Sequence, residues 1–146
     1  MQQFLVASEQ DWPAAWQWLR SIRDLPTTER DSSLRVLALE GDLGAGKTSF
    51  AKAILAACGY DGEVTSPTFS LVQQYPCELG TVSHFDLYRL DSVDEVLDLG
   101  FEEYLDTSAF CLVEWPEVAR ELLLPSETCW VRVEHSPEGG RLLLAL

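Results

Sequence analysis

A single α/β domain, with a mixed central sheet sandwiched between helices on both faces, is the fold class this chain predicts. Three observations point to it. An apolar, β-prone run from Leu34 to Glu40 leads into a glycine-rich turn and then into helix formers from Ser49 to Cys58. A second run with the character of a buried strand, Ala109 to Trp115, follows two short acidic segments suited to helices, near 92–98 and 101–105. Two pairs of apolar segments, one within 70–85 and one within 129–146, are spaced as hairpins and demand antiparallel neighbours. With hydrophobic residues at 47% of 146, one core is expected, and the whole chain, 1–146, reads as one domain.

The elements follow in order. Gln2 to Val6 reads as a short strand. Ser8, with Asp11 three residues on, opens a helix through Trp12, Trp16, Leu19 and Ile22, and Pro13 suits its first turn. The tryptophans are expected to pack this helix on the sheet, with stacking of Trp12 on a nucleotide base as the alternative. The polar stretch 24–33 reads as a surface loop. The helix from Ser49 presents Phe50, Ile54 and Leu55 to the core, Gly59 caps it, and Asp61-Gly62 makes a turn. Ser70 to Tyr75 and Thr81 to Phe85 read as strands joined by Pro76-Cys77-Glu78-Leu79-Gly80. Pro116 to Leu123 reads as a short helix, and Cys129–Glu134 pairs with Arg141–Leu146 across Ser136 to Gly140.

The turn after the first buried run carries the chemistry. Gly41-Asp42-Leu43-Gly44-Ala45-Gly46-Lys47-Thr48 satisfies every fixed position of G-x-x-x-x-G-K-[ST], and it lies between a strand and a helix, as that motif requires. Three of the chain's nine glycines fall here. They let successive N–H groups turn inward on an anion, and the helix start adds partial positive charge. Lys47 is placed to reach the β- and γ-phosphates, and the Thr48 hydroxyl to ligate Mg²⁺. The domain is therefore P-loop NTPase-like, and small for that class, which leaves little chain for a lid or a second substrate domain.

Charge narrows the partners. The formal net charge is -14, and beyond Lys52 seventeen acids face only Arg89, Arg120, Arg132 and Arg141. Such a surface repels phosphate backbones, so unaided nucleic-acid binding is not expected, whereas a basic protein face would suit it. Cys58, Cys77, Cys111 and Cys129 form no C-x-x-C pair and read as reduced, mostly buried thiols. No charged-then-apolar leader and no run of about 18 apolar residues is found, which fits a cytoplasmic protein with no membrane role.

Phosphate chemistry also needs a carboxylate near the metal, and two positions compete for it. Asp86 ends Thr81-Val82-Ser83-His84-Phe85, and Glu114 ends Ala109-Phe110-Cys111-Leu112-Val113. Each acid follows an apolar strand, and Glu114 has the more apolar one. Ser66-Pro67-Thr68-Phe69 lies where a switch segment meets Mg²⁺ or the γ-phosphate, or is a plain turn. His84 either positions a water or is a satisfied strand histidine. Arg89 either reaches a phosphate or pairs with an acid.

The four segments Gly41 to Thr48, Ser66 to Phe69, His84-Phe85-Asp86-Leu87-Tyr88-Arg89 and Glu114-Trp115-Pro116-Glu117 together resemble the tRNA threonylcarbamoyladenosine biosynthesis ATPase family TsaE, formerly YjeE. The resemblance runs from about Leu37 to Glu117. It implies a protein that binds and hydrolyses ATP with Mg²⁺ and works with the TsaB–TsaD complex. That complex modifies adenosine 37 of tRNAs reading codons that begin with A, so tRNA is met only indirectly. Carried over by motif, the nucleotide set is Gly41, Asp42, Leu43, Gly44, Ala45, Gly46, Lys47, Thr48, Ser49, Thr68 and Trp115. Lys47, Asp86 and Glu114 are the catalytic set, with Thr48, Glu114 and Asp86 toward the metal. Two rivals fit less well. A GTPase would use N-K-x-D, and the chain has no asparagine; a small-molecule kinase would clamp phosphate with lid arginines, and Asp91 to Asp106 contains no Lys or Arg. A nucleotide-loaded scaffold with negligible turnover is the third alternative.

Overall fold

The protein is described by a computed structural model covering residues 2–27, 32–65 and 71–146. Its strands are β1 (Gln2–Val6), β2 (Val36–Glu40), β3 (Val72–Cys77), β4 (Gly80–Asp86), β5 (Phe110–Glu114), β6 (Thr128–His135) and β7 (Arg141–Ala145). Its α-helices are α1 (Trp12–Ile22), α2 (Lys47–Ala57), α3 (Val93–Asp98) and α4 (Phe101–Thr107). One seven-stranded sheet runs in the order β1-β7-β6-β2-β5-β4-β3. The four inner strands β6, β2, β5 and β4 are parallel, while β3, β7 and β1 pair antiparallel with their neighbours. The mixed sheet expected from the hairpins is therefore present, with the parallel strands at its centre.

Period-two alternation sends each strand's side chains to two cores. Leu37 and Leu39 of β2 join Trp16, Phe50 and Ile54 under α1 and α2. Val36 and Ala38 turn to the opposite face, with Phe85, Phe101 and Val113 under α3 and α4. Every residue of β2 and of β5 is buried, the pattern of parallel strands covered on both faces. Helix α2 ends where Gly59, at φ 94°, lets the Tyr60 N–H turn back to the Leu55 carbonyl at 3.0 Å.

Several boundaries differ from the sequence expectation, each for a local reason. A 3-10 turn, Glu9–Asp11, precedes α1, because the Asp11 carboxylate accepts the Ser8 N–H at 3.1 Å and tightens the entry. The β3–β4 connection is the two-residue turn Glu78-Leu79 rather than five residues, with Cys77 opposite Gly80 in register. Pro76 sits inside β3, which tolerates it because β3 is an edge strand. Residues Pro116–Leu122 wind as a 3-10 helix, and α2 begins at Lys47, two residues before Ser49. All four cysteines are free, Cys77 half-buried and the other three buried. Among the described residues no helix is long and apolar enough to cross a membrane.

Candidate functional site

The site lies at the carboxyl ends of the parallel strands, where β2 passes into the loop from Gly41 to Gly46. Gly41, at φ 148°, comes so close to β6 that a Cβ there would stand 2.2 Å from the Val133 carbonyl oxygen. Gly46, at φ 112°, faces Trp12, and a Cβ would meet its ring at 2.7 Å. Only glycine fits either position without moving the strand or the indole. Between them the Ala45 N–H closes a turn on the Asp42 carbonyl at 3.1 Å. Helix α2 then starts, and the N–H groups of Lys47, Thr48 and Ser49 lie in its first turn, where no intrahelical acceptor exists. This is an anion cradle built by backbone.

A cavity of about 430 Å³ opens over the cradle. Its walls are the loop from Leu43 to Ser49, the acids Asp86 and Glu114, Trp115, and the arginines Arg89 and Arg141. Gly41 and Asp42 line a smaller hollow behind the loop instead. Their carbonyls accept from Lys47 Nζ, the Asp42 contact measuring 3.0 Å. The Lys47 ammonium also stands 4.0 Å from the centre of the Trp115 ring. Burial lowers the pKa of Lys47, and the negative charges of Glu114, Glu117, Asp86 and Asp42 work against that shift.

Strand register delivers both acids. Asp86 is the partner of Glu114 across β4 and β5, and Glu114 in turn lies opposite Leu39 of β2. His84, Asp86 and Glu114 all fall on the α2 face, since they alternate with Phe85 and Val113 of the other core. Glu114 is buried, and it accepts the Thr48 hydroxyl, whose oxygen lies 3.2 and 3.3 Å from its two carboxylate oxygens. Its Oε2 also sits 2.5 Å from His84 Nε2. The His84 ring is wholly buried, and its Nδ1 has no partner among the described residues. Leaving such an atom unpaired costs about 1–3 kcal/mol. Asp86 is half-buried, and its Oδ1 accepts the Tyr88 N–H at 3.1 Å. Burial, then the Glu114 charge, raises its pKa, while the Tyr88 N–H, His84 and Lys47 pull it back.

Trp115 holds φ 55°, a left-handed conformation that costs a non-glycine residue about 1–3 kcal/mol. Its ring lies between Lys47 and Tyr88, with the tyrosine centroid 4.8 Å away. The backbone strain is thus stored beside the glycine loop.

The structure brings together the loop, Lys47, Thr48, Ser49, Asp86, Glu114 and Trp115. Thr68 and the rest of Ser66 to Phe69 lie outside the described residues. Trp12 does not offer a face for stacking on a base: it is 3% exposed, packed beneath Gly46 and against Phe50. Arg141 carries no site role in the sequence reading, yet its Nη2 donates to the Gly44 carbonyl at 3.2 Å. Its one signal was a cation directly after the Gly139-Gly140 turn. Among the described residues no cluster of three or more His, Cys, Asp or Glu could cage a metal. The donor set fits a cation shared with phosphate oxygens, held by one hydroxyl and one or two carboxylates, as Mg²⁺ is commonly held.

The chain is similar to known proteins both in sequence and in fold. The family described as Threonylcarbamoyl adenosine biosynthesis protein TsaE matches residues 11–143. The tRNA threonylcarbamoyladenosine biosynthesis protein TsaE of Rickettsia felis is 46% identical over 108 residues, 73% of this chain and 62% of that protein. Its namesake from Haemophilus influenzae is 39% identical over 106 residues, covering 73% of this chain and 66% of its own length. The Bacillus subtilis namesake is 40% identical over 106 residues, with 73% and 65% covered. The chain therefore spans a little under two thirds of the length of these relatives. Among solved structures, Bacillus subtilis YdiB superposes with a TM-score of 0.69 at 26% identity, covering 97% of this chain and 82% of YdiB.

Proposed function

This chain belongs to the TsaE family of threonylcarbamoyl adenosine biosynthesis proteins, and on that premise we propose that it binds and hydrolyses ATP with Mg²⁺ in support of tRNA modification. The product served is N6-threonylcarbamoyladenosine at position 37 of tRNAs that read codons starting with A. The partners are the TsaB and TsaD proteins, and tRNA is reached only through them, consistent with a net charge of -14. The compartment that suits this work is the cytoplasm.

One observation carries the reading: the Thr48 hydroxyl at the start of α2 is held by the buried Glu114 carboxylate, beside a glycine loop that ends in Lys47. A phosphate-only site has no use for that carboxylate; a site that handles a phosphate-bound cation does. When bound, Mg-ATP supplies the transferable phosphoryl group and the cation that offsets its charge. The chain's own contributions are positional and electrostatic. The first-turn N–H groups and Lys47 would donate to phosphate oxygens, Thr48 would offer its hydroxyl oxygen to the cation while its O–H still donates to the Glu114 carboxylate, and Glu114 would orient waters on the cation. Asp86, in register beside it, adds a second carboxylate whose ionised form is disfavoured by its burial. Trp115 lays its ring face against the Lys47 ammonium, a cation–π contact.

The test is the rate of ATP hydrolysis by this chain alone, with TsaB–TsaD, and with TsaB–TsaD plus tRNA. The reading expects turnover that changes when the partners are added and vanishes with EDTA. A rate unmoved by partners or by tRNA would favour a nucleotide-loaded scaffold.

A further inference from the structure

Among the described residues, His84 is the one fully buried titratable side chain that touches the site without lining it. Its Nε2 lies 2.5 Å from Glu114 Oε2, and the same carboxylate receives the Thr48 hydroxyl, so three side chains from β4, β5 and α2 form one line: His84, Glu114, Thr48. An ionised carboxylate only accepts, so Nε2 is the donor. The ring is fully buried on an inner strand, where Gln73 of β3 and Leu112 of β5 are the histidine's register partners.

We propose that His84 is a positioning residue, which fixes the Glu114 carboxylate against Thr48 so that its remaining lone pairs face the cavity. The proposal rests on the Mg-ATP reading above. It replaces both roles open to His84 in the sequence. None of its atoms lines the cavity, so it does not meet an attacking water; it acts through Glu114. A satisfied strand histidine does not describe it either, since Nδ1 is buried without a partner among the described residues. Its neighbours on the same face, Val82 and Leu112, are apolar, and an apolar residue would fill the position with no orphaned nitrogen. What an apolar residue lacks is the hydrogen bond that removes the rotational freedom of a three-torsion glutamate. Groups that orient metal-associated ligands in this manner are worth about 10- to 100-fold in metal affinity.

The experiment is a Mg²⁺ titration of fluorescent N-methylanthraniloyl-ATP binding by the full chain and by His84→Gln, His84→Asn and His84→Leu. The glutamine amide reaches about as far as Nε2, and the asparagine amide only as far as Nδ1. We expect metal-free nucleotide affinity within about twofold of wild type in all three variants. The Mg²⁺ concentration for half-maximal enhancement should rise about tenfold in His84→Asn and His84→Leu and return to within about threefold in His84→Gln. Folded variants that all keep the wild-type Mg²⁺ requirement would overturn the role of His84 alone. A wild type whose nucleotide binding ignores Mg²⁺ would overturn the Mg-ATP reading and this inference with it. A second readout needs no substitution: in protein labelled at the histidine ring nitrogens, the His84 Nε2 proton should exchange slowly and shift when Mg²⁺ joins bound nucleotide. A resonance blind to Mg²⁺ contradicts the proposal.

Discussion

The ends of β4 and β5 lie side by side and finish alike, each with an acid just past an apolar run, and Asp86 and Glu114 are partners in register. Their surroundings make them different groups. Glu114 is 3% exposed, with the Thr48 hydroxyl and the His84 ring both on its carboxylate. Asp86 is only half-buried and holds its own backbone at Tyr88, with burial and the Glu114 charge both disfavouring its ionised form. Placement at the carboxyl edge of a sheet thus brings a carboxylate to the loop without assigning its work. The assignment comes from what the neighbouring elements turn toward it, here a helix-start threonine and a strand histidine.

The largest test of this contrast is Glu114→Gln. Turnover should fall by at least about 100-fold, the scale of a lost acid–base or water-positioning group, while ATP still binds. A steady-state assay paired with a binding titration checks it, and near-normal turnover removes Glu114 from the chemistry. Lys47→Ala comes next, because it removes the cation that both acids face. ATP affinity should weaken by about 2–4 kcal/mol, as for stranding one side of a buried charge contact; affinity within twofold of wild type, by calorimetry, would refute the role. Asp86→Asn should be milder, raising the Mg²⁺ needed for half-maximal turnover about tenfold while the rate recovers at saturating metal. If Asp86→Asn instead stays inactive at every Mg²⁺ concentration, the two acids exchange roles.

The smallest effect concerns stability. A raised pKa means that folded Asp86 holds its proton to higher pH than the unfolded chain does. Its contribution is therefore intact below the ordinary aspartate range, about pH 4, and is lost as pH rises through the folded value. Asp86→Asn cannot ionise and keeps an oxygen for the Tyr88 N–H. Urea melts at acidic and neutral pH should show the variant gaining on wild type as pH rises. A variant that loses ground at neutral pH would mean that Asp86 is stabilised by a contact its pKa does not reflect.

Much of this is legible in the sequence alone. The buried runs, the hairpins and the acidic helices gave the α/β sandwich and its mixed sheet, because period-two burial and turn chemistry are local signals. Four short motifs sufficed to name the family whose match extends over residues 11–143. What stayed hidden was pairing between distant segments. His84 reaches Glu114 across 30 residues, Thr48 reaches it across 66, and Arg141 reaches Gly44 across 97. Those contacts depend on strand order, which places β5 between β2 and β4, and no local pattern encodes that order. The same limit explains Trp12. Its sequence position permitted a stacking surface, but the close approach of Gly46 to the indole makes it the floor of the loop. The end of β3 differs for a related reason: Pro76 reads as part of the connection until β3 is known to lie at the rim.

The division of labour between the two acids is best tested by a crystal structure of the chain with Mg²⁺ and a non-hydrolysable ATP analogue. The phosphates should lie on the loop from Gly41 to Thr48, with the Thr48 oxygen on the metal and Glu114 closer to it than Asp86, directly or through one water. A metal bound by Asp86, with Glu114 turned away from Thr48, would contradict the account.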